Sequence, residues 1–246
     1  QMNNSLVSVI LAAGKGTRMK SDLPKVLHEV NGKTLIEYCV ETAEDLNVKR
    51  IVAIVGYKEE LVREALMDRV EYVTQIEQLG TGHAVQQAEK LLADYDGYVF
   101  VSNGDNPFLT EEMFKQLYQS CLEEKAAAAV LTVKNNSYLD WGRVVRSAEG
   151  DIKEIVEAKD ASSKVAAIKE KNTGLYCFAA RSLWQALAEV KAENEQEEYY
   201  LTDVIGIISR QGQKIVSVVT EDYENIIGIN SQDDLKRASQ IAKKRK

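Results

Sequence analysis

Residues 9–28 read VILAAGKGTRMKSDLPKVLH. An apolar run ending in Ala12 and Ala13 feeds a turn built on Gly14 and Gly16, and Lys15, Arg18, Lys20 and the pair Pro24-Lys25 follow. A strand that runs into a glycine-rich turn is how parallel α/β proteins bring backbone N–H groups up to a phosphate. The bases that follow then have a charge to neutralise. Two familiar phosphate motifs do not fit. A dinucleotide fingerprint needs a small residue where Met19 stands, for close packing of helix on strand. A P-loop needs Ser or Thr directly after Gly-Lys, and here Gly16 follows Lys15. What remains is a loop whose backbone, from Ala12 to Gly16, can approach a nucleotide because small side chains keep out of the way. Arg18 and Lys25 would reach phosphate oxygens as fixed cations, with Pro24 stiffening the turn that presents Lys25. A tight strand-to-helix turn with solvated bases explains the same residues, so composition alone leaves both readings open.

Length and composition narrow the classes. A chain of 246 residues suits one large α/β domain or two small ones and can bury a sizeable core. Its net charge of -7 argues against a nucleic-acid partner, which usually meets a basic face. A basic cluster within an acidic chain serves a small anionic ligand better. The three cysteines, Cys39, Cys121 and Cys177, are scattered and odd in number, which fits reduced thiols in a cytoplasmic protein rather than a disulfide framework. His28 and His83 are the only histidines, so a histidine-rich metal site is excluded; both are expected to be structural. No apolar stretch approaches membrane-spanning length, and no membrane partner is expected.

Apolar runs alternate with helical patterns. Strands are predicted over residues 7–11, 50–55, 70–74, 98–102 and 127–133, and helices over 35–46, 59–67, 83–93 and 111–125. Strand, helix, strand in succession marks βαβ units around a largely parallel sheet, and the short continuous apolar runs suit a sheet covered on both faces. The second half is less regular. A hairpin is predicted from 143–147 and 152–157, strands over 173–178 and 214–219, and helices over 182–190, 202–210 and 232–244. Nothing rich in Pro, Gly or Ser separates the halves, so one domain with an inserted substrate-binding portion is expected.

The whole stretch LAAGKGTRM followed by SDLPKVLH resembles the N-terminal uridylyltransferase domain of the bifunctional N-acetylglucosamine-1-phosphate uridylyltransferase/glucosamine-1-phosphate acetyltransferases. The wider sugar-nucleotide pyrophosphorylases share only its GxGxRM…PK core. Further matches follow in family order: EQLGTGHA at 77–84, Gly104-Asp105, GRVVR at 142–146, IVEAKDAS at 155–162, NTGLYCF at 172–178, EYYLTDVI at 198–205 and GIN at 228–230. The resemblance implies a Rossmann-like, mostly parallel mixed sheet with helices on both faces, of the nucleotide-diphospho-sugar transferase type. It implies a single nucleotidyltransferase domain over 3–246, with a nucleotide-binding part (3–133), a sugar-binding part (134–230) and a C-terminal helix (231–246).

The same resemblance assigns roles. Leu11, Ala12, Ala13, Gly14, Gly16, Lys25, Gln75, Gly80 and Thr81 would bind the nucleotide, Gln75 reading uracil with one donor and one acceptor. Thr81 would equally serve as the cap of the helix it opens. Arg18 and Lys25 would be catalytic. Asp105 and Asn230 would hold Mg²⁺, a hard cation that takes oxygen ligands and few of them from protein. Gly142, Glu157, Asn172 and Tyr199 would bind the sugar, although core packing explains the Tyr199-Tyr200 pair as well. UTP and N-acetylglucosamine-1-phosphate are then the expected substrates, condensed without a general base for a cell-wall precursor. The chain departs from the family at Asn103, where an aromatic or small residue is usual, and at Trp141, where Tyr is commoner. No hexapeptide repeat of a β-helix occurs in these residues, so acetyl transfer is not expected of them, and oligomeric state stays open without that trimerising element. The alternatives are a glucose-1-phosphate uridylyl- or thymidylyltransferase and a nucleotide-sugar sensor without turnover.

Overall fold

The computed structural model describes residues 6–245; the expectations at 3–5 and 246 lie outside them. Strand β1 (Leu6–Ala12) is apolar almost throughout and buried on both faces, as its continuous VILA run demands. It lies inside a nine-stranded sheet, pairing in parallel with β4 (Arg50–Val55) on one side and β6 (Tyr98–Asn103) on the other. Beyond β4, β5 (Glu71–Thr74) forms a parallel edge. Beyond β6 comes β10 (Glu170–Ala179), antiparallel to β6 and to β7 (Ala128–Lys134), and β11 (Ile215–Thr220) closes that side parallel to β7. The hairpin β8 (Arg143–Arg146) and β9 (Ile152–Val156) extends from β10, and a two-residue ladder joins β2 (Glu29–Val30) to β3 (Lys33–Thr34).

Alternation along each strand divides the core between two faces. Val7, Val9, Val99 and Val101 meet α3 (Thr81–Gln86), α6 (Ala180–Leu187) and α7 (Asp203–Arg210) in one cluster. On the other face Ile10, Ala53 and Val55 pack on α1 (Leu35–Asp45) and α2 (Glu59–Leu66), and Leu6 and Phe100 pack on α4 (Glu111–Glu124). A one-turn α5 (Ser163–Ala166) and the long α8 (Gln232–Lys244) complete the α-helices among the described residues. The result is the expected mostly parallel mixed sheet with helices on both faces.

Two local expectations are corrected. The helix predicted over 83–93 starts at Thr81 and stops at Gln86, where N–H groups of Gln87, Ala88 and Glu89 turn to carbonyls three residues back. The strand predicted over 173–178 runs from Glu170 to Ala179, because a bulge between Asn172 and Tyr176 carries it past Gly174 in the left-handed region, φ +86°. The β2–β3 ladder, which the sequence reading did not include, turns at Asn31-Gly32, whose positive φ values (54° and 78°) are those of a tight hairpin.

Candidate active site

The chain leaves β1 toward β4 on one side and returns as β6 on the other, so a topological switch point lies at the carboxyl ends of these strands. Their register levels those ends: Leu11 pairs with Asn103, Ala12 with Val55, and Val55 with Thr74. The loop after β1, Gln75 after β5 and Gly104-Asp105 after β6 therefore emerge together. Gly104 permits this closeness. A Cβ there would lie 2.9 Å from the Leu11 carbonyl oxygen, which accepts from the Gly104 N–H at 2.8 Å.

Between these loops lies a cleft of about 270 Å³ lined by Leu11, Ala12, Ala13, Gly14, Lys25, Gln75, Gly80, Thr81 and Asp105. All but one of the expected nucleotide residues thus face one space. Gly16 is the one outside; it sits under Lys25 with φ +67°, and a Cβ on it would stand 2.5 Å from the Lys25 Cβ. Only glycine lets the loop fold back onto that lysine. Asn103, Gln78 and Glu198 also line the cleft. In the sequence Asn103 stands out only as a departure from the family, and Gln78 and Glu198 carry no signal beyond their place within longer motifs.

Four residues from distant parts of the chain meet at the cleft's edge. Lys25 Nζ pairs with Asp105 Oδ2 and donates to Asn230 Oδ1 at 2.9 Å, and Arg18 Nη2 donates to the same oxygen at 3.0 Å. Asn230 is held from behind by the capping box of α8: Asp234 Oδ2 accepts from the N–H groups of Asn230 (3.0 Å) and Ser231 (2.9 Å). The Ile229 N–H donates to the Asp105 carbonyl at 2.9 Å and locks the two segments together. A carboxylate and an amide oxygen already converging on one cationic nitrogen make a donor set suited to a hard divalent ion. Beyond Arg18 and Asn230, a second hollow of about 220 Å³ is lined by Tyr138, Asp140 and Trp141, whose two rings stack 4.1 Å apart.

The chain matches the family model of the MobA-like NTP transferase domain over residues 8–204. It belongs to that family. Among curated relatives, the bifunctional protein GlmU of Pediococcus pentosaceus is 45% identical over 238 residues, covering 97% of this chain and 51% of the relative. That of Brevibacillus brevis is 46% identical with 97% and 52% coverage. The chain thus spans about half the length of the curated relatives it matches. The crystal structure of a UDP-glucose pyrophosphorylase complexed with UDP-glucose superposes with a TM-score of 0.79 over 98% of this chain and 99% of that one; at 19% identity the likeness is one of fold. The match to the MobA-like family spans Arg18, Lys25 and Asp105 but stops short of Asn230.

Of the expected sugar residues, Gly142, Glu157 and Asn172 lie off this cleft, on the β8–β10 side. The Asn172 N–H donates to the Gly142 carbonyl at 2.9 Å, and a Cβ on Gly142 would meet Ile155 at 3.0 Å, so those segments touch. Glu157 follows β9 and accepts from Thr202 Oγ1 at 3.0 Å; burial pushes its carboxyl above the ordinary range. Asn172 spends its side chain inside the bulge, donating to the Tyr176 hydroxyl at 2.6 Å and accepting from the Gly174 N–H at 3.1 Å. Tyr199 is built into the loop before α3: its N–H donates to the Leu79 carbonyl (2.8 Å) and its carbonyl accepts from Gly82 (2.7 Å). Thr81 caps nothing; Gly80 holds the cap position, and the Thr81 hydroxyl accepts from the Leu201 N–H at 3.0 Å. Gln75 is buried, and its amide nitrogen meets the Gly80 carbonyl and the His83 ring, each at 3.0 Å.

Proposed function

We propose that the chain condenses UTP with N-acetylglucosamine-1-phosphate, releasing pyrophosphate and forming UDP-N-acetylglucosamine, in the cytoplasm and for cell-wall precursor synthesis. The observation that carries this is the meeting of Arg18, Lys25, Asp105 and Asn230 at the edge of the cleft that holds Gln75. The high identity to proteins named GlmU supports it.

In this reading a sugar-1-phosphate oxygen attacks the α-phosphorus of UTP in line, and pyrophosphate leaves. The nucleophile is an anion already, so no base has to remove a proton. Catalysis is then positioning and neutralisation of charge. The backbone from Ala12 to Gly16 approaches the phosphates, with Arg18 and Lys25 supplying fixed positive charge in the transition state. Gln75, with main-chain groups of Ala12 and Gly80, holds the base, and Leu11 and Thr81 wall that side. Asp105 and Asn230 are suited to hold Mg²⁺, which when bound adds further neutralisation of the phosphate oxygens. Gly142, Glu157, Asn172 and Tyr199 receive the sugar: Glu157 accepts from its hydroxyls and Gly142 leaves room for it.

Pyrophosphate release across a panel of nucleoside triphosphates and sugar-1-phosphates tests the proposal. UTP with N-acetylglucosamine-1-phosphate should be the fastest pair, and turnover should stop on removal of divalent metal. A folded sample that releases no pyrophosphate from that pair at saturating Mg²⁺ would overturn it.

A further inference from the structure

The Gln75 carboxamide meets two fixed neighbours. One is the Gly80 carbonyl, which can only accept, so the group facing it at 3.0 Å is the amide nitrogen. The other is His83 Nδ1, also at 3.0 Å from that nitrogen. A ring nitrogen accepts a hydrogen bond only when it carries no proton, so this contact is a hydrogen bond in the tautomer that carries its proton on Nε2. Both N–H bonds of the amide are thereby used, so of the expected donor and acceptor only the acceptor is left for a base. Among the described residues no group donates to Gln75 Oε1, and Gln75 lines the cleft.

We propose that His83 is a positioning residue for base selection: with the Gly80 carbonyl it locks the Gln75 amide so that only its oxygen is offered to the nucleobase. The proposal rests on the uridylyltransferase reading above and deepens it. Uracil presents an N3–H donor, which Oε1 accepts. Cytosine presents a lone pair at N3, which faces Oε1 as acceptor against acceptor. An amide free to rotate would turn its nitrogen to cytosine and accept both bases. Rotation here would set Oε1 against the Gly80 carbonyl, which can only accept, and would force the imidazole to move its proton from Nε2 to Nδ1, so it is opposed at both neighbours. His83 is in turn anchored, its carbonyl accepting from Gln87 Nε2 at 2.9 Å in the first turns of α3, with its ring 6.3 Å from that of Tyr199.

The test compares UTP with CTP, by calorimetric Kd and by kcat/KM with N-acetylglucosamine-1-phosphate, in the wild-type chain and in His83→Ala, His83→Leu and His83→Asn. Alanine removes the acceptor, leucine removes it while filling the space, and asparagine restores an acceptor near the Nδ1 position. The UTP-over-CTP preference should fall by about tenfold in the first two, the loss lying in Kd and KM rather than kcat, as expected when one hydrogen bond to a buried polar group is lost. Asparagine should recover most of it. An unchanged preference in both His83→Ala and His83→Leu, or an asparagine variant as relaxed as alanine, would overturn the assignment of His83 alone. A wild-type chain with no preference for UTP would overturn the functional reading and this inference with it, and that outcome shows before any variant is made.

Discussion

Lys25 carries two kinds of contact, and they separate structure from chemistry. Its stem lies on Gly16, and its ammonium reaches Asp105 and Asn230. Lys25→Ala and Asp105→Ala should each lower kcat by about 10²–10³, the usual cost of one electrostatic contact to a developing charge. The ion pair is mostly hidden from solvent, with 19% and 12% of the two side chains exposed, so some loss of stability follows, but Tm should fall by only a few degrees. Near-normal turnover in either folded variant would remove that residue from the machinery. A variant that fails to fold would assign it to the framework instead. Circular dichroism beside the kinetics distinguishes these outcomes. His83 and Gln75 show the same point more finely, since their contact depends on which ring nitrogen holds the proton.

The helices α7 and α8 hold segments of the candidate site without supplying its proposed reactive groups. The capping box of α8 holds Asn230 by its backbone, and Thr202, just before α7, donates to Glu157. In α7, Asp203 sits in the first turn, where a carboxylate suits the helix dipole. Burial nevertheless pushes its pKa up to about 6, with Asp160 and Glu154 adding repulsion against the opposing pull of Arg210. A folded-state value above the unfolded one means that the folded chain binds this proton more tightly. The associated stability is therefore complete below the ordinary aspartate range and drains away as pH rises through it to about 6. Asp203→Asn cannot ionise, so its Tm should exceed that of the wild type by at least about 2 °C at pH 8 and match it near pH 4. Equal shifts at both values in thermal melts would contradict this account.

Across the whole molecule the sheet separates two regions. The ends of β1, β5 and β6 frame the cleft proposed for the nucleotide, while β8, β9 and the bulge of β10 carry Gly142, Glu157 and Asn172, proposed for the sugar. Asn103 stands between the two groups: it ends β6, lines the cleft, and would lie 2.6 Å from a Cβ on Gly174. An acetamido group needs a polar partner and an apolar wall, which Glu157, Asn172 and the Tyr199-Tyr200 pair can provide without position 103. The kcat/KM for N-acetylglucosamine-1-phosphate should therefore exceed that for glucose-1-phosphate by at least about tenfold, because polar groups left unpaired by the smaller sugar penalise it. A ratio near one, measured side by side, would favour the glucose-1-phosphate alternative.

Much of this was legible along the chain, because its signals are local. Continuous apolar runs determined buried strands, Gly14 and Gly16 determined a tight turn after β1 whose flanking bases suit a phosphate without requiring one, and the order of elements followed from the alternation of periods. The residues Arg18, Lys25, Asp105 and Asn230 could be singled out by motif, but not their meeting. Asn230 lies 212 residues from Arg18 and 205 from Lys25, and it reaches them because β1 and β6 end level and Ile229 is tied to Asp105. Contacts set by sheet order and main-chain ties between remote segments leave no periodic trace. The same reason hid the pairing of Tyr199 with Leu79 and Gly82, the short end of α3, and the hold of His83 on Gln75, each of which exists only once distant or non-repeating groups are packed against one another.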